Sequence, residues 1–193
     1  MLARLIFVLL LIPLRASAST EATNSESLYF PFEVRLNVPS MFFNWLTLES
    51  AYHINDRLEI GVNYTRYNGN VDSAGNMFFP TFRGHSTGIN SNYYFPRLGN
   101  SFYFGTKVNY EDFQSVGHAN PALYDHEGMS LTAAVGLRRV FDIFHDHLTL
   151  NMGGGITKFF LKTKEINRST GSFTEANEQS GMPFLEFKIG YQF

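Results

Sequence analysis

From Phe30 to the C-terminus the chain alternates apolar and polar residues with period two, in runs of about ten residues separated by polar or turn-forming segments. In the run from Leu58 to Arg66, Leu58, Ile60, Val62 and Tyr64 share one face, while Glu59, Gly61, Asn63 and Thr65 share the other. Phe102, Phe104, Val108 and Tyr110 oppose Ser101, Tyr103, Gly105, Lys107, Asn109 and Glu111 in the same way. Met129, Leu131, Ala133, Val135 and Leu137 stand against Ser130, Thr132, Gly136 and Arg138, and Leu148, Leu150, Met152 and Ile156 against Thr149, Asn151, Gly153, Gly155 and Thr157. The last run sets Leu185, Phe187, Ile189, Tyr191 and Phe193 against Glu186, Lys188, Gly190 and Gln192. Successive side chains of a strand point to opposite faces, so each run predicts a strand with one apolar and one polar side. Phe30 to Val38, Phe42 to Tyr52 and His85 to Phe95 carry the pattern less regularly and bring the expected number to eight.

Punctuation supports this division. Pro39, Pro80, Pro96 and Pro121 fall between runs, and Pro31 and Pro183 fall at expected strand starts, where a missing donor matters least. Connections after the second, fourth and sixth runs are short (His53 to Arg57, Pro96 to Asn100, about Phe141 to His147), and those after the third, fifth and seventh are long and polar. Alternating short and long connections predict an all-β, eight-stranded antiparallel up-and-down transmembrane β-barrel with short turns at one end. Asn68 to Arg83, Asp112 to Gly128 and Lys162 to Gly181 are then external loops, expected to be mobile and open to protease.

Composition narrows the setting. The chain holds 20 Phe and 10 Tyr beside 1 Trp, and 17% of its residues are charged, against roughly 25% in ordinary soluble domains. Zero cysteines exclude disulfides and thiolate sites, and a net charge of −2 offers no basic surface for nucleic acid. Residues 1–18 read as a cleaved secretory signal: Arg4, an apolar run from Leu5 to Leu14, then Ala16-Ser17-Ala18. Residues 19–27 form a short polar leader and 28–193 the barrel. A soluble lipocalin-like carrier in the periplasm would also alternate, with its apolar side inward. The polar faces here are rich in Gly, Ser, Thr and Asn rather than Lys and Glu, and the apolar faces end in Tyr64, Tyr110, Tyr191 and Phe193, which suits lipid contact bounded by aromatic girdles.

The segment Phe184-Leu185-Glu186-Phe187-Lys188-Ile189-Gly190-Tyr191-Gln192-Phe193 resembles the terminal strand of Gram-negative outer-membrane proteins. With the signal peptide and eight runs, the chain is similar to the small outer-membrane barrels of the OmpA, OmpX and OmpW type. That resemblance implies a monomer in the bacterial outer membrane, in contact with outer-membrane lipid and lipopolysaccharide. It also implies that Tyr191 and Phe193 form the signal read by the barrel assembly machinery.

Candidate chemistry lies mainly on the polar faces. Glu33, Glu49, Glu59, Glu111 and Glu186 share them with Arg35, Lys107, Arg138 and Lys188, and an eight-stranded barrel is just wide enough for such side chains to fill it. They are expected to pair into a polar core. The function expected is structural, adhesive or surface-interacting through external loops, without catalysis, cofactor or metal. The alternatives are a channel for small solutes or hydrophobic compounds, a lipid A-modifying enzyme, and the soluble carrier. His85 beside Ser86 and Thr87 invites the enzyme reading, but neighbouring strand residues face opposite ways. His118, Asp125, His126 and Glu127, expected in one loop, match no strong metal spacing, and His145-Asp146-His147 reads as a turn.

The terminal aromatic generates a test. Deleting Phe193, or replacing it with Asp, is expected to lower the yield of membrane-inserted, heat-modifiable protein, while Gln192→Ala has a smaller effect. Equal yields from wild type and the deletion would remove the role assigned to this terminus.

Overall fold

The structure, a computed structural model, describes residues 31–38, 45–69, 81–96, 100–116, 122–143, 146–167 and 170–193. The expected signal and leader, the Pro39 to Met41 connection and His118 lie outside these residues. The described chain is all-β: β1 (Phe32–Asn37), β2 (Trp45–His53), β3 (Leu58–Asn68), β4 (Thr81–Phe95), β5 (Ser101–Val116), β6 (Leu123–Ile143), β7 (Asp146–Ile166) and β8 (Phe173–Gln192). Each strand pairs antiparallel with the next, and β8 pairs with β1, so one sheet closes into a ring.

Period two survives as alternation of burial. Along β5, Ser101, Tyr103 and Gly105 are buried, whereas Phe102, Phe104 and Thr106 are exposed. The polar phase therefore faces the interior of the ring and the apolar phase faces out, strand after strand. Asn63 is buried on the inner face of β3.

Four expectations are corrected. β4 begins at Thr81 rather than His85, while the expected start of the second strand at Phe42 lies outside the described residues. Much of what read as external loop is strand: β5 runs to Val116, β6 starts at Leu123, β7 runs to Ile166 and β8 starts at Phe173. Asp125, His126 and Glu127 thus belong to β6, opposite Gln114, Phe113 and Asp112. Gly, Asn and charged residues weaken the alternation there, and cross-strand pairing prevails over local composition. Asp146 and His147 lie in β7 rather than in a turn.

Pro183 is the fourth correction, because it lies inside β8 instead of at its start. Phe193 N–H donates to Phe32 O at 3.0 Å and Phe32 N–H to Phe193 O at 3.4 Å, which directs the odd-numbered backbone groups of β8 toward β1. β1 meets β8 only from Glu33 opposite Gln192 to Asn37 opposite Lys188, whereas β7 accompanies β8 from Gln192 to Phe173. β1 ends at Asn37, with Leu36 already paired to Leu48 of β2, so among the described residues it does not follow β8 to its far end. Pro183 therefore places its missing donor on an edge without a partner strand among the described residues, the position in a sheet where proline costs least.

Hydrogen exchange should record this asymmetry. Between Phe173 and Met182, amides of even-numbered residues, directed at β7, are expected to exchange slowly, and those of odd-numbered residues quickly. Uniformly fast exchange along the segment, measured by NMR, would restore the mobile-loop reading.

Candidate functional site

All nine charged residues expected on the polar faces point inward. Glu33, Arg35, Glu49, Glu59, Glu111, Arg138, Glu186 and Lys188 are buried, and Lys107 is nearly so. They fall into separate layers. In the first, Arg35 of β1 donates from Nε to Glu33 Oε1 at 2.6 Å and from Nη1 to Glu59 Oε1 at 2.6 Å, with a further bond from Nη2 to Glu59 Oε2. Arg138 of β6 approaches Glu33 Oε2 at 2.7 Å and lies over the Tyr94 ring at 5.3 Å. Tyr94 donates its hydroxyl to Glu59 at 2.7 Å, Asn92 donates its amide to Glu59 at 2.7 Å, and Thr149 donates to Glu33. Two carboxylates and two guanidinium groups, from β1, β3 and β6, thereby neutralise one another across the ring.

The second layer has the same balance. Lys107 Nζ lies 2.7 Å from Glu49 Oε1 and 3.2 Å from Glu186 Oε2, and Lys188 Nζ lies 3.0 Å from Glu49 Oε2 and 2.8 Å from Glu186 Oε2. The two acids and two amines alternate around a closed square supplied by β2, β5 and β8, with Tyr103 donating to Glu186. Glu111 departs from the expectation of pairing with a base. Its carboxylate instead accepts from Ser130 at 2.6 Å and Tyr67 at 3.2 Å.

Beyond Glu111 the interior becomes aromatic. Trp45, Tyr67, Phe82 and Phe113 meet edge to face at centroid distances of 5.2 to 5.6 Å, and Phe113 lies 4.8 Å from His126. His126 is bonded to Ser115 at 2.7 Å through Nε2 and to Thr163 at 2.9 Å through Nδ1. Burial holds its imidazole below the usual range, which favours the neutral ring that accepts at one nitrogen and donates at the other. A serine paired to a neutral histidine is the beginning of a nucleophilic site. Here the third member is a hydroxyl rather than a carboxylate, and the three residues tie β5, β6 and β7 together. His85, the other histidine considered for such chemistry, faces outward while Ser86 is buried inward.

The inner histidine at the opposite end is His53, with Nε2 3.4 Å from Glu33 Oε2, Nδ1 3.3 Å from Glu59 Oε2, and Nε2 3.1 Å from the Gln192 amide. Glu33, His53 and Glu59 bring possible ligand atoms within 4.8 Å of one another. Arg35 and Arg138 already engage those carboxylates, so a divalent cation would have to compete with two guanidinium charges. The cluster is an ion-pair core.

Outside, the apolar phase forms a continuous belt. Phe102 is 65% exposed, Val135 63%, Ile156 64% and Leu185 82%, which is the reverse of a water-soluble protein. Tyr191 and Phe193 lie in contact on this face near the β1 seam, with Phe193 stacked on Phe32 at 6.4 Å. Tyr103 was legible as an interior residue from its polar phase, whereas the less regular fourth run did not place Tyr94, and the donation of the two hydroxyls to Glu186 and Glu59 depends on strands far apart in sequence. The chain matches no known protein family, no curated protein and no solved structure.

Truncating one member of a balanced buried cluster leaves its partner's charge uncompensated, at a cost of about 3–5 kcal/mol. Arg138→Ala is therefore expected to destabilise the folded protein by about that amount, against less than about 0.5 kcal/mol for the exposed Lys158→Ala. Guanidinium unfolding in detergent micelles measures both, and similar small losses would mean that water solvates the first layer.

Proposed function

We propose that this chain is an integral outer-membrane β-barrel whose filled interior makes it an anchor, and whose outer sheet is the interaction surface it displays. The observation that carries this reading is the inverted distribution of polarity: ion pairs and hydroxyls inside, a belt of Phe, Leu, Ile, Val and Tyr outside. Water cannot stabilise that belt, and hydrocarbon can. On β5 the belt runs from Phe102 to Tyr110, nine residues, which in a strand tilted by about 40° rise roughly 23 Å, close to the apolar band of known barrels. Ring closure meets the requirement that no backbone edge be stranded in lipid.

The same distribution weighs against the competing roles. A carrier of apolar cargo needs an apolar interior, whereas this one holds two neutralised ion-pair layers. A steady channel needs a continuous wet path, whereas four successive levels of the interior are occupied by side chains, ending in the Trp45, Tyr67, Phe82 and Phe113 cluster. Beyond the belt, β4 to β8 continue as a sheet with one open edge at β8, the part suited to meeting partners outside the cell. Secretion by a cleaved signal and insertion by the barrel assembly machinery complete the reading.

The mature protein is expected in the outer-membrane fraction, with heat-modifiable migration, and without steady large currents in planar bilayers. Recovery as a soluble monomer from osmotic-shock fluid would overturn the membrane placement, and steady large currents would overturn the filled interior.

A further inference from the structure

The outer stretch of β8 is a strand with one free side. From Phe173 to Met182 it is bonded to β7, every residue is exposed, and no backbone group on the side away from β7 is bonded among the described residues. Odd-numbered residues direct their backbone groups to that side, so Phe173, Glu175, Asn177, Gln179 and Gly181 each present an N–H and a C=O there. The turn at Gly171, with φ +69°, ends the free side at its far tip, and Pro183, which has no N–H, ends it near the belt. The nine residues from Phe173 to Gly181 form a template roughly 30 Å long.

Both faces of this template carry negative charge. Glu186 and Lys188 point inward, so by period two Glu178 shares the inner face and Glu175 the outer one. Neither Glu175 nor Glu178 has a hydrogen-bonded or ion-paired partner among the described residues. Lys164, opposite Glu175 on β7, instead turns its amine over the Phe173 ring at 3.9 Å. Beside the template, the two outermost outward rows from β4 to β8 line an open groove of about 970 Å³ and hold four carboxylates, Asp112, Asp125, Glu127 and Glu175, against three bases. The surface next to the free side is therefore acidic on balance.

We propose that this edge takes an added strand from a basic, extended polypeptide segment of a partner outside the cell. The proposal deepens the displayed-surface reading above and rests on it for the side of the membrane that β8 reaches. Main-chain bonds to the odd-numbered residues supply the attachment, and side chains select the partner. In an antiparallel addition the residues opposite Gly181, Glu178 and Glu175 follow one another at intervals of three. Bases at the last two of these positions lie on opposite faces and meet Glu178 inside and Glu175 outside. An aromatic residue three places before the first base falls against Gly181, where an added Cβ would meet nothing closer than Thr157 O at 4.0 Å. A second copy of the chain does not fit. Two identically inserted copies run β8 across the bilayer in the same sense, which excludes antiparallel pairing, and they present the free side on the same hand, which excludes parallel pairing.

The test uses the full mature chain in detergent micelles and an acetylated nine-residue peptide with Phe first, Lys fourth and seventh, and Thr or Ser elsewhere. Binding is read by fluorescence anisotropy, and amide exchange by NMR. The peptide is expected to slow exchange at the odd-numbered amides from Phe173 to Gly181 and to leave the even-numbered ones unchanged. Glu175→Lys/Glu178→Lys should weaken binding about tenfold. N-methylation of the fifth peptide residue, which faces Asn177, should abolish binding, whereas N-methylation of the sixth, whose amide points away from β8, should have little effect. Asn177→Pro, at the same phase as Pro183, should keep heat-modifiable migration and lose the peptide. Unchanged exchange at saturating peptide, equal binding of both methylated peptides, or equal binding of a peptide with Glu in place of both Lys would overturn the strand addition and leave the membrane reading intact. A wild-type chain that stays soluble and monomeric without detergent would overturn the membrane reading itself, whatever the peptide does.

Discussion

Arg35 sits where the ring is thinnest. β1 has six residues and meets β8 at five positions, yet it carries both Glu33 and Arg35, and through them reaches Glu59 on β3, Arg138 on β6 and Thr149 on β7. The shortest strand is therefore held by backbone bonds on its two sides and by charge from across the interior. Burying these groups is tolerable because each ion-pair layer sums to zero: two acids with two arginines, then two acids with two lysines. Such layers add little net stability over an apolar filling, but once present they penalise any register that separates the partners.

Closure and filling together divide the molecule into two parts with different physics. In the closed part every strand has two neighbours, and the inward charged side chains lie in balanced layers below an aromatic cluster. In the outer part β8 has one neighbour among the described residues, both of its faces are exposed, and it carries Pro183, Glu175 and Glu178. Proline and like charges on an open edge discourage indiscriminate strand addition. An edge so guarded, next to a charged groove, fits selective contact better than simple exposure.

The proposed placement in a membrane draws on the outward surface. Its lower rows are mostly apolar, although Thr106 and Lys158 lie among them, and its upper rows are mostly charged or amide side chains, so one solvent does not suit both. A bilayer margin supplies the two environments a few ångströms apart. In that setting the interior needs only to be full, and the interior layers and the outward rows can vary independently because adjacent residues on a strand never share a face.

The number of strands, their order, and which side chains face in were legible in the sequence, because period two is imposed by the backbone and does not depend on what a strand packs against. All nine charged residues named from that pattern are inward for this reason. The grouping of those residues was not legible. Whether Glu59 meets Arg35 or Lys107, and that Glu111 meets hydroxyls instead of a base, depends on how far each strand is shifted against the next around a closed ring, and no local pattern encodes that shift. The length of β5 to β8 was hidden for a related reason: Gly, Asn and charge read as loop until cross-strand pairing holds them extended. The outward rows likewise exist only in the assembled sheet, since His85, Asp112, Glu127, Lys162 and Asn177 come from five strands and are brought level by register alone.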